Sequence, residues 1–431
     1  MKRWMALLLT VVFLCPVLCQ AESQDAAYTL ERVVILSRHN IRSPLSGGGS
    51  VLGEITPHTW FSWTSKPSEL SLRGGVLETM MGQYFRLWLE EQGFFPENYR
   101  PEEGAVRFYA NALQRTQATA HYFSTGLLPV AQVPVEMHAD YNTMDDTFNP
   151  IVRFVSEEYN QDVFQQVAER FGVDELKNLQ TTAKDALTLL IDVADMEKSE
   201  AYQAGKFGNL LSDGTDMVLE LGKEPAMTGP LKTGTSVADA MTLQYYEEPD
   251  ALKAAFGHTL SEEDWRLLHR IVDTYVDALF GAPLLAISEA NPLLREIRSE
   301  LTAEGRQFSF LCGHDSNLCS VLASLGVKEY LLPDAVEQHT PIGSKLVFER
   351  WMDREGQAWY KVSLVYQSTK QLREMSQLTL ENPPVTFALS FEGAAQNEDG
   401  MISEADLLKL FDDAIQSFDD LESEYALDQA A

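Results

Sequence analysis

One short stretch, Arg38-His39-Asn40-Ile41-Arg42-Ser43-Pro44, holds residue types suited to phosphate chemistry. Its two guanidinium groups stand four positions apart around an imidazole. Each offers a planar fork of donors to anionic oxygens, while a ring nitrogen can face the phosphorus. The stretch follows Val33-Val34-Ile35-Leu36, a β-branched apolar run too short for a helix, which reads as a buried strand ending at Ser37. Ligands bind at strand exits in open α/β sheets. The residues therefore indicate a phosphate site with His39 as nucleophile.

The elements that must position it are legible in the pattern around it. Leu72 to Gln92 has helical spacing, with Ser71 as cap and Gly93 as stop. Val106–Ala110 reads as a strand and Leu113 to Phe123 as the helix after it, which puts Arg115 just beyond a strand exit; a lone arginine there would be merely solvated. Val133–Met137 is another short strand, and the loop with Trp60 and Trp63 is a candidate pocket wall. From Ile151 to Glu304 the pattern is mostly helical, so residues 140–300 read as a helical cap inserted between two halves of one α/β unit, 22–139 and 301–431. Lys223-Glu224-Pro225 and Thr228-Gly229-Pro230-Leu231 interrupt the helices as loop. Phe308–Cys312 returns to the sheet, Asn317 to Leu325 forms a helix whose positive end faces the site, and 346–351 pairs with 359–365 as a hairpin.

These stretches resemble the histidine acid phosphatases, whose pattern is Arg-His-Gly-x-Arg-x-Pro with a distant His-Asp pair, here Gly313-His314-Asp315-Ser316-Asn317. Within that family the chain is similar to the periplasmic glucose-1-phosphatase branch, which carries Asn after the nucleophilic His and a His-Asp-Ser-Asn run. Asn111–Thr116, Thr143–Pro150, Thr242–Glu247 and Thr340–Gly343 match as well, so the likeness spans nearly the whole chain after its first residues. It implies an α/β fold with a mixed sheet flanked by helices and a helical cap, and a phosphomonoesterase that needs no cofactor. It also implies that His39 attacks phosphorus to give a phosphohistidine, that Arg38, Arg42, Arg115 and His314 hold the phosphate oxygens, and that Asp315 protonates the leaving alcohol. Glu224 becomes a candidate gate and hydroxyl acceptor at the sugar; by itself it is equally a surface glutamate on an acidic cap.

The substrate so implied is glucose 1-phosphate or a similar sugar phosphate. An acid phytase cleaving inositol hexakisphosphate is the second reading, and a phosphate-binding protein without turnover the third. Asn40 in place of the common Gly, and Leu45 where many phytases have Thr, agree with the first. Three guanidinium groups keep His39 unprotonated while Asp315 must be protonated, so an acid pH optimum is expected.

Lys2 and Arg3 before an apolar run, with small residues ahead of a cut after Ala21, read as a secretory signal peptide over 1–21, which implies export to the periplasm. A lipidated Cys19 is the rival, disfavoured by the bulk of Leu18. No later run is long enough to span a bilayer, so no membrane anchor is expected. Loss of the two leader cations takes the formal charge from −31 to −33, which disfavours nucleic acid as a partner. The expected partner is a small phosphate ester, with the protein a monomer or homodimer. Of four cysteines, Cys312 and Cys319 survive the cut and read as buried thiols rather than a disulfide. Asn397 to Asp406 has half the spacing of a calcium loop, but Ala395 falls at the first ligand position and Asp406 where a bidentate Glu is expected, so no metal is assigned. The acidic residues from Asp419 read as a solvated helix end or frayed tail.

Overall fold

Val33–Leu36 offers apolar side chains to both faces of a strand, which suits a strand covered on both sides. In the computed structural model, which describes residues 27–45 and 50–425, it does lie at the middle of a sheet. The expected leader at 1–21, most of the glycine run and residues 426–431 lie outside the described residues.

The first part of the chain gives β1 (Tyr28–Arg38), α1 (Leu72–Glu91), β2 (Val106–Ala110), α2 (Gln114–Leu127) and β3 (Val135–Glu136). A largely helical stretch comes next: α3 (Glu157–Arg170), α4 (Lys184–Val193), α5 (Glu200–Gln203), the hairpin of β4 (Asp216–Val218) and β5 (Ala226–Thr228), then α6 (Pro230–Glu247), α7 (Ala251–Ala254), α8 (Glu262–Phe280) and α9 (Pro283–Thr302). The chain ends with β6 (Phe308–Gly313), α10 (Asp315–Ser324), β7 (Lys345–Asp353), β8 (Ala358–Tyr366), α11 (Thr369–Glu374), β9 (Val385–Ala388), β10 (Ile402–Ser403) and α12 (Glu404–Tyr425).

The main sheet runs β10-β8-β7-β1-β6-β2-β3, with β9 also on β8. Strands β1, β6, β2 and β3 are parallel, whereas β7 and β8 are antiparallel, so the sheet is mixed as expected. Strand register positions the site. Arg38 pairs with Gly313 and Ala110 with Cys312, so β1, β6 and β2 end at one level and release His39, His314 and Asn111 side by side. Alternation sends Val33 and Ile35 towards Met81, Phe85 and Phe123 of α1 and α2, while Val34 and Leu36 face Leu294, Val321 and Phe411 of α9, α10 and α12. The helical stretch packs around Leu187, Leu190, Met241, Trp265 and Leu268, a core that Ile41, Leu77 and Ile342 join from the rest of the chain.

Several expectations change. Pro230, read as interrupting a helix, starts the long α6, because proline at a first helical position gives up an N–H that would be unpaired anyway. The loop around Glu224 is the turn of the β4–β5 hairpin. Helix α10 begins at Asp315, two residues early, since Asn317 Oδ1 accepts the His314 N–H at 2.9 Å and closes the first turn. The loop after the glycine run does reach the cavity wall, through Leu52, while its Trp60 and Trp63 pack on the core of the helical stretch. Of the two readings for the acidic end, the solvated helix end holds: α12 runs to Tyr425 with Asp420, Glu422 and Glu424 exposed, Asp419 pairs with Arg295 at 2.7 Å and the Tyr425 hydroxyl donates to Asp162 at 2.8 Å. Asn397 Oδ1 accepts the N–H groups of Asp399 and Met401, closing a turn before α12. Cys312 and Cys319 stand as free thiols on β6 and α10.

The start of α1 fixes the loop after β1. A Cβ at Gly74 would lie 2.3 Å from the Ile41 carbonyl oxygen, so only glycine permits the approach. Gly74→Ala should therefore lower the unfolding free energy by roughly 1–3 kcal/mol in a urea titration; a loss under half of the lower figure would show that the loop yields.

Candidate active site

Arg38 is the last residue of β1 and almost fully buried. Its NH1 donates to Glu337 Oε1 at 2.6 Å and to the Thr340 carbonyl, while NH2 pairs with Asp315 Oδ2 at 3.0 Å. The guanidinium is thus the bolt between the two motifs. Although burial opposes its charge, Glu337 and Asp315 hold it protonated.

His39 comes next in the chain. Its Nδ1 lies 2.9 Å from the Asn40 carbonyl oxygen, which can only accept, so Nδ1 carries the proton and Nε2 is left with its lone pair. His314 sits 5.4 Å away, ring centre to ring centre. Its orientation is set by Asn111, whose Oδ1 accepts the Asp145 N–H and whose Nδ2 donates to His314 Nε2 at 2.7 Å. His314 Nδ1 is therefore an N–H, 3.4 Å from Arg115 NH2. Two donors that close do not bond each other; they converge on a place for an anion. Among the described residues no carboxylate is ion-paired to Arg115, and its Nε has no partner. Burial, with Arg42 next, pushes Arg115 down to about 10, so it remains a cation at neutral pH.

Burial first, and Arg115 second, lowers both imidazoles well below the ordinary value. For Asp315 burial acts upwards, but Arg38 and Arg42 outweigh it and hold the carboxyl at about 2. Asp315 is therefore an anion at neutral pH, so acting as an acid would require an incoming dianion to take over its cationic partners.

The opposite wall comes from the helical stretch. Asp239 on α6 takes both guanidinium nitrogens of Arg42, at 3.2 and 3.3 Å, in the planar fork a phosphate would use. Lys232, Thr235 and Ser236 stand on the same face of α6 as Asp239, and Val272, Tyr275, Val276 and Phe280 come from α8. Glu224 reaches in from its hairpin turn; burial raises its carboxyl and Asp315 raises it further. These groups and His39, Arg42, Arg115, His314 and Asp315 enclose a cavity of about 310 Å³. A larger hollow of about 750 Å³ opens at the other end of the strands, but Arg32 there donates to carbonyls at the end of α9 and Arg350 pairs with Glu31 and Glu404, so its cations are already engaged.

All seven residues singled out from the sequence meet around this place: six converge at the strand ends, with Arg38 just behind the cavity wall, and Glu224 sits at the rim. Asp239, Lys232 and Glu337 were missed. Lys232 and Asp239 carry a signal, being seven apart, two turns, on a helix that is otherwise largely buried. Glu337, in a loop, carries none.

The profile of the histidine phosphatase superfamily (branch 2) matches residues 29–213 and 239–367. The chain is 36% identical over 385 residues to a glucose-1-phosphatase of Salmonella typhimurium, covering 88% of this chain and 91% of that one. It is 34% identical over 409 residues to a glucose-1-phosphatase of Providencia rettgeri, covering 94% and 96%. Among solved structures, the apo form of Hafnia alvei phytase superposes with a TM-score of 0.82 at 27% identity, covering 90% of this chain and 98% of that one.

Imidazoles buried uncharged make stability fall with acid. Below about 6.5 the unfolded chain binds protons at His39 and His314 that the folded chain refuses, so the unfolding free energy drops as pH falls from there. Asp315 adds a separate loss as pH falls from about 4 towards 2. His39→Gln should flatten urea-derived stability between pH 6.5 and 5, by up to ~1.4 kcal/mol per pH unit; an unchanged slope would mean that His39 titrates normally in the fold.

Proposed function

The chain belongs to the histidine phosphatase superfamily, branch 2, and from that premise we propose that it hydrolyses sugar phosphate monoesters, glucose 1-phosphate ahead of inositol hexakisphosphate, through a phosphohistidine at His39. One observation carries the anion site: the unpaired Arg115 guanidinium converging with the Nδ1–H of His314 on the cavity that His39 also lines.

In this reading the phosphate displaces Asp239 from Arg42 and seats its oxygens on Arg42, Arg115 and His314. Arg38, behind them, holds the motif together. His39 Nε2 attacks phosphorus in line, the bond to the leaving oxygen breaks, and Asp315 passes that oxygen a proton. Water then attacks the phosphohistidine, giving its proton to the Asp315 carboxylate and releasing His39. Because burial and the arginines resist protonation of His39, the nucleophile persists in acid.

The leaving-group side supports the substrate class. It offers hydroxyls and an apolar strip, with one ammonium, Lys232, against two carboxylates, Glu224 and Asp239. That suits a neutral, hydroxyl-bearing ring. Each further phosphate charge 6 Å from one of those carboxylates costs roughly 3 kcal/mol at an effective dielectric of 20, more than Lys232 can offset for a polyphosphate. We further propose that residues 140–300 act as a cap on the unit formed by 22–139 and 301–431, and that the leader sequence sends the protein to the periplasm.

The test is phosphate release at acid and neutral pH from glucose 1-phosphate, glucose 6-phosphate, inositol hexakisphosphate and an aryl phosphate. Glucose 1-phosphate should be preferred, in acid and with chelator present, and His39→Ala should lose at least ~10³ in rate. Preference for inositol hexakisphosphate would keep the mechanism and reverse the substrate; no release at all would favour a binding protein. Asp315→Asn should cost roughly 10²–10⁴ on glucose 1-phosphate but far less on the aryl phosphate, whose leaving group needs no proton. Equal losses on both would remove Asp315 as the acid.

A further inference from the structure

Behind His39, away from the cavity, two opposite charges lie fully buried. Glu78 projects from α1 and Lys345 from the start of β7, both with no solvent exposure, and Lys345 Nζ stands 2.9 and 3.1 Å from the two Glu78 oxygens. Their surroundings are apolar: the ammonium is 5.8 Å from the ring centres of Phe123 and Phe310. Burial raises the Glu78 carboxyl, and the Lys345 ammonium and the Asn40 amide draw it back down. Such a pair is weak support for stability. Desolvation costs several kcal/mol per ion, and well-packed apolar residues of similar volume often do as well or better.

What the pair holds is Asn40. Its Nδ2 donates to Glu78 Oε2 at 2.8 Å, and its Oδ1 accepts the Ile41 N–H at 2.8 Å. The Asn40 backbone N–H donates to Thr119 Oγ1 at 3.1 Å, and the Asn40 carbonyl takes the Nδ1–H of His39. All the polar groups of Asn40 are thus engaged, one of them on the nucleophile. The slot is shaped for that side chain: a Cβ on Gly343 would lie 2.7 Å from Asn40 Nδ2, and the Gly343 carbonyl accepts from Lys345 Nζ at 2.7 Å. Where the family pattern has glycine, this chain has a side chain with a buried charged anchor.

We propose that Glu78 and Lys345 are positioning residues for the reaction: the ion pair clasps the Asn40 amide, and so fixes the peptide carbonyl that sets the tautomer and direction of His39. Neither residue lines the cavity, so both act through Asn40. Lys345 keeps the Glu78 carboxylate charged in an apolar layer, and the carboxylate oxygen holds Asn40. The Nδ1–H of His39 then points at a fixed acceptor, and Nε2 keeps its in-line direction. The inference rests on His39 being the nucleophile.

The experiment compares full-length variants on glucose 1-phosphate. Glu78→Met with Lys345→Met removes both charges together and should leave a cooperative urea transition. Its kcat should fall roughly 10–100-fold, the scale of a small misplacement of a reacting group, with KM within about threefold because Arg42, Arg115 and His314 are untouched. Glu78→Gln with Lys345→Met restores a neutral acceptor for Asn40 without a buried charge, and should recover most of the kcat. Asn40→Gly should lose about as much as the double methionine variant, and the triple variant no more than either, since all three act through one contact.

A folded double methionine variant with kcat within twofold of the parent overturns the clasp. So does a glutamine variant as slow as the methionine one, or a triple variant whose losses multiply. If the double methionine variant does not fold, Asn40→Gly decides, because it leaves the ion pair in place: unchanged kcat overturns the inference, and a 10–100-fold fall at constant KM supports it. His39→Ala separates the two readings. Turnover retained there removes the nucleophile and the clasp together, whereas turnover lost there but kept in the double methionine variant removes the clasp alone.

Discussion

Three guanidinium groups and two imidazoles share one mostly buried place, and the structure around them is arranged to tolerate that crowding. Like charges in a poorly solvated site repel, so each group needs a carboxylate, a neutral tautomer or an incoming anion. Arg38 has Glu337 and Asp315, Arg42 has Asp239, and the imidazoles stay uncharged. Arg115 alone among them keeps a charge without a close partner. That leaves a place for an anion. Burial first, and the same repulsion second, keeps the His39 imidazole uncharged well below the usual range.

The sheet supplies the rigidity. Parallel pairing of β1 with β6, and of β6 with β2, ends three strands at one level and commits His39, His314 and Asn111 to neighbouring positions. Antiparallel β7, on the other side of β1, brings Lys345 beneath the loop, opposite Glu78 from α1. Strands covered on both faces move little, so the side chains at their ends inherit fixed directions. The wall facing them comes from α6, α8 and a hairpin turn, whose core also takes in Ile41 from the loop after β1 and Leu77 from α1. The two walls of the cavity thus come from different parts of the chain, the strand ends and the helical stretch.

By itself the sequence determined which chemistry-bearing residues stand at strand exits and the elements that carry them. Arg38, His39 and Arg42 are contiguous with a strand whose type is legible from Val33–Leu36, and His314 and Asp315 come directly after a second such strand; local spacing is enough for that. Helix α1 with its Ser71 cap, strand β2 and the β7–β8 hairpin were legible for the same reason, since turn chemistry and hydrophobic period are local properties. Only the tertiary structure decided which groups neutralise, orient or face these residues. Glu337 reaches Arg38 from nearly three hundred positions away, Asp239 reaches Arg42 from another layer, and Glu78 meets Lys345 through helix packing against strand register. A charge on an apolar face, such as Glu78 or Lys345, shows in sequence as an anomaly, yet its partner is fixed by distances that no local pattern encodes. Burial and charge proximity set the protonation of His39, His314 and Asp315, and both arise only when strands far apart in the chain end together.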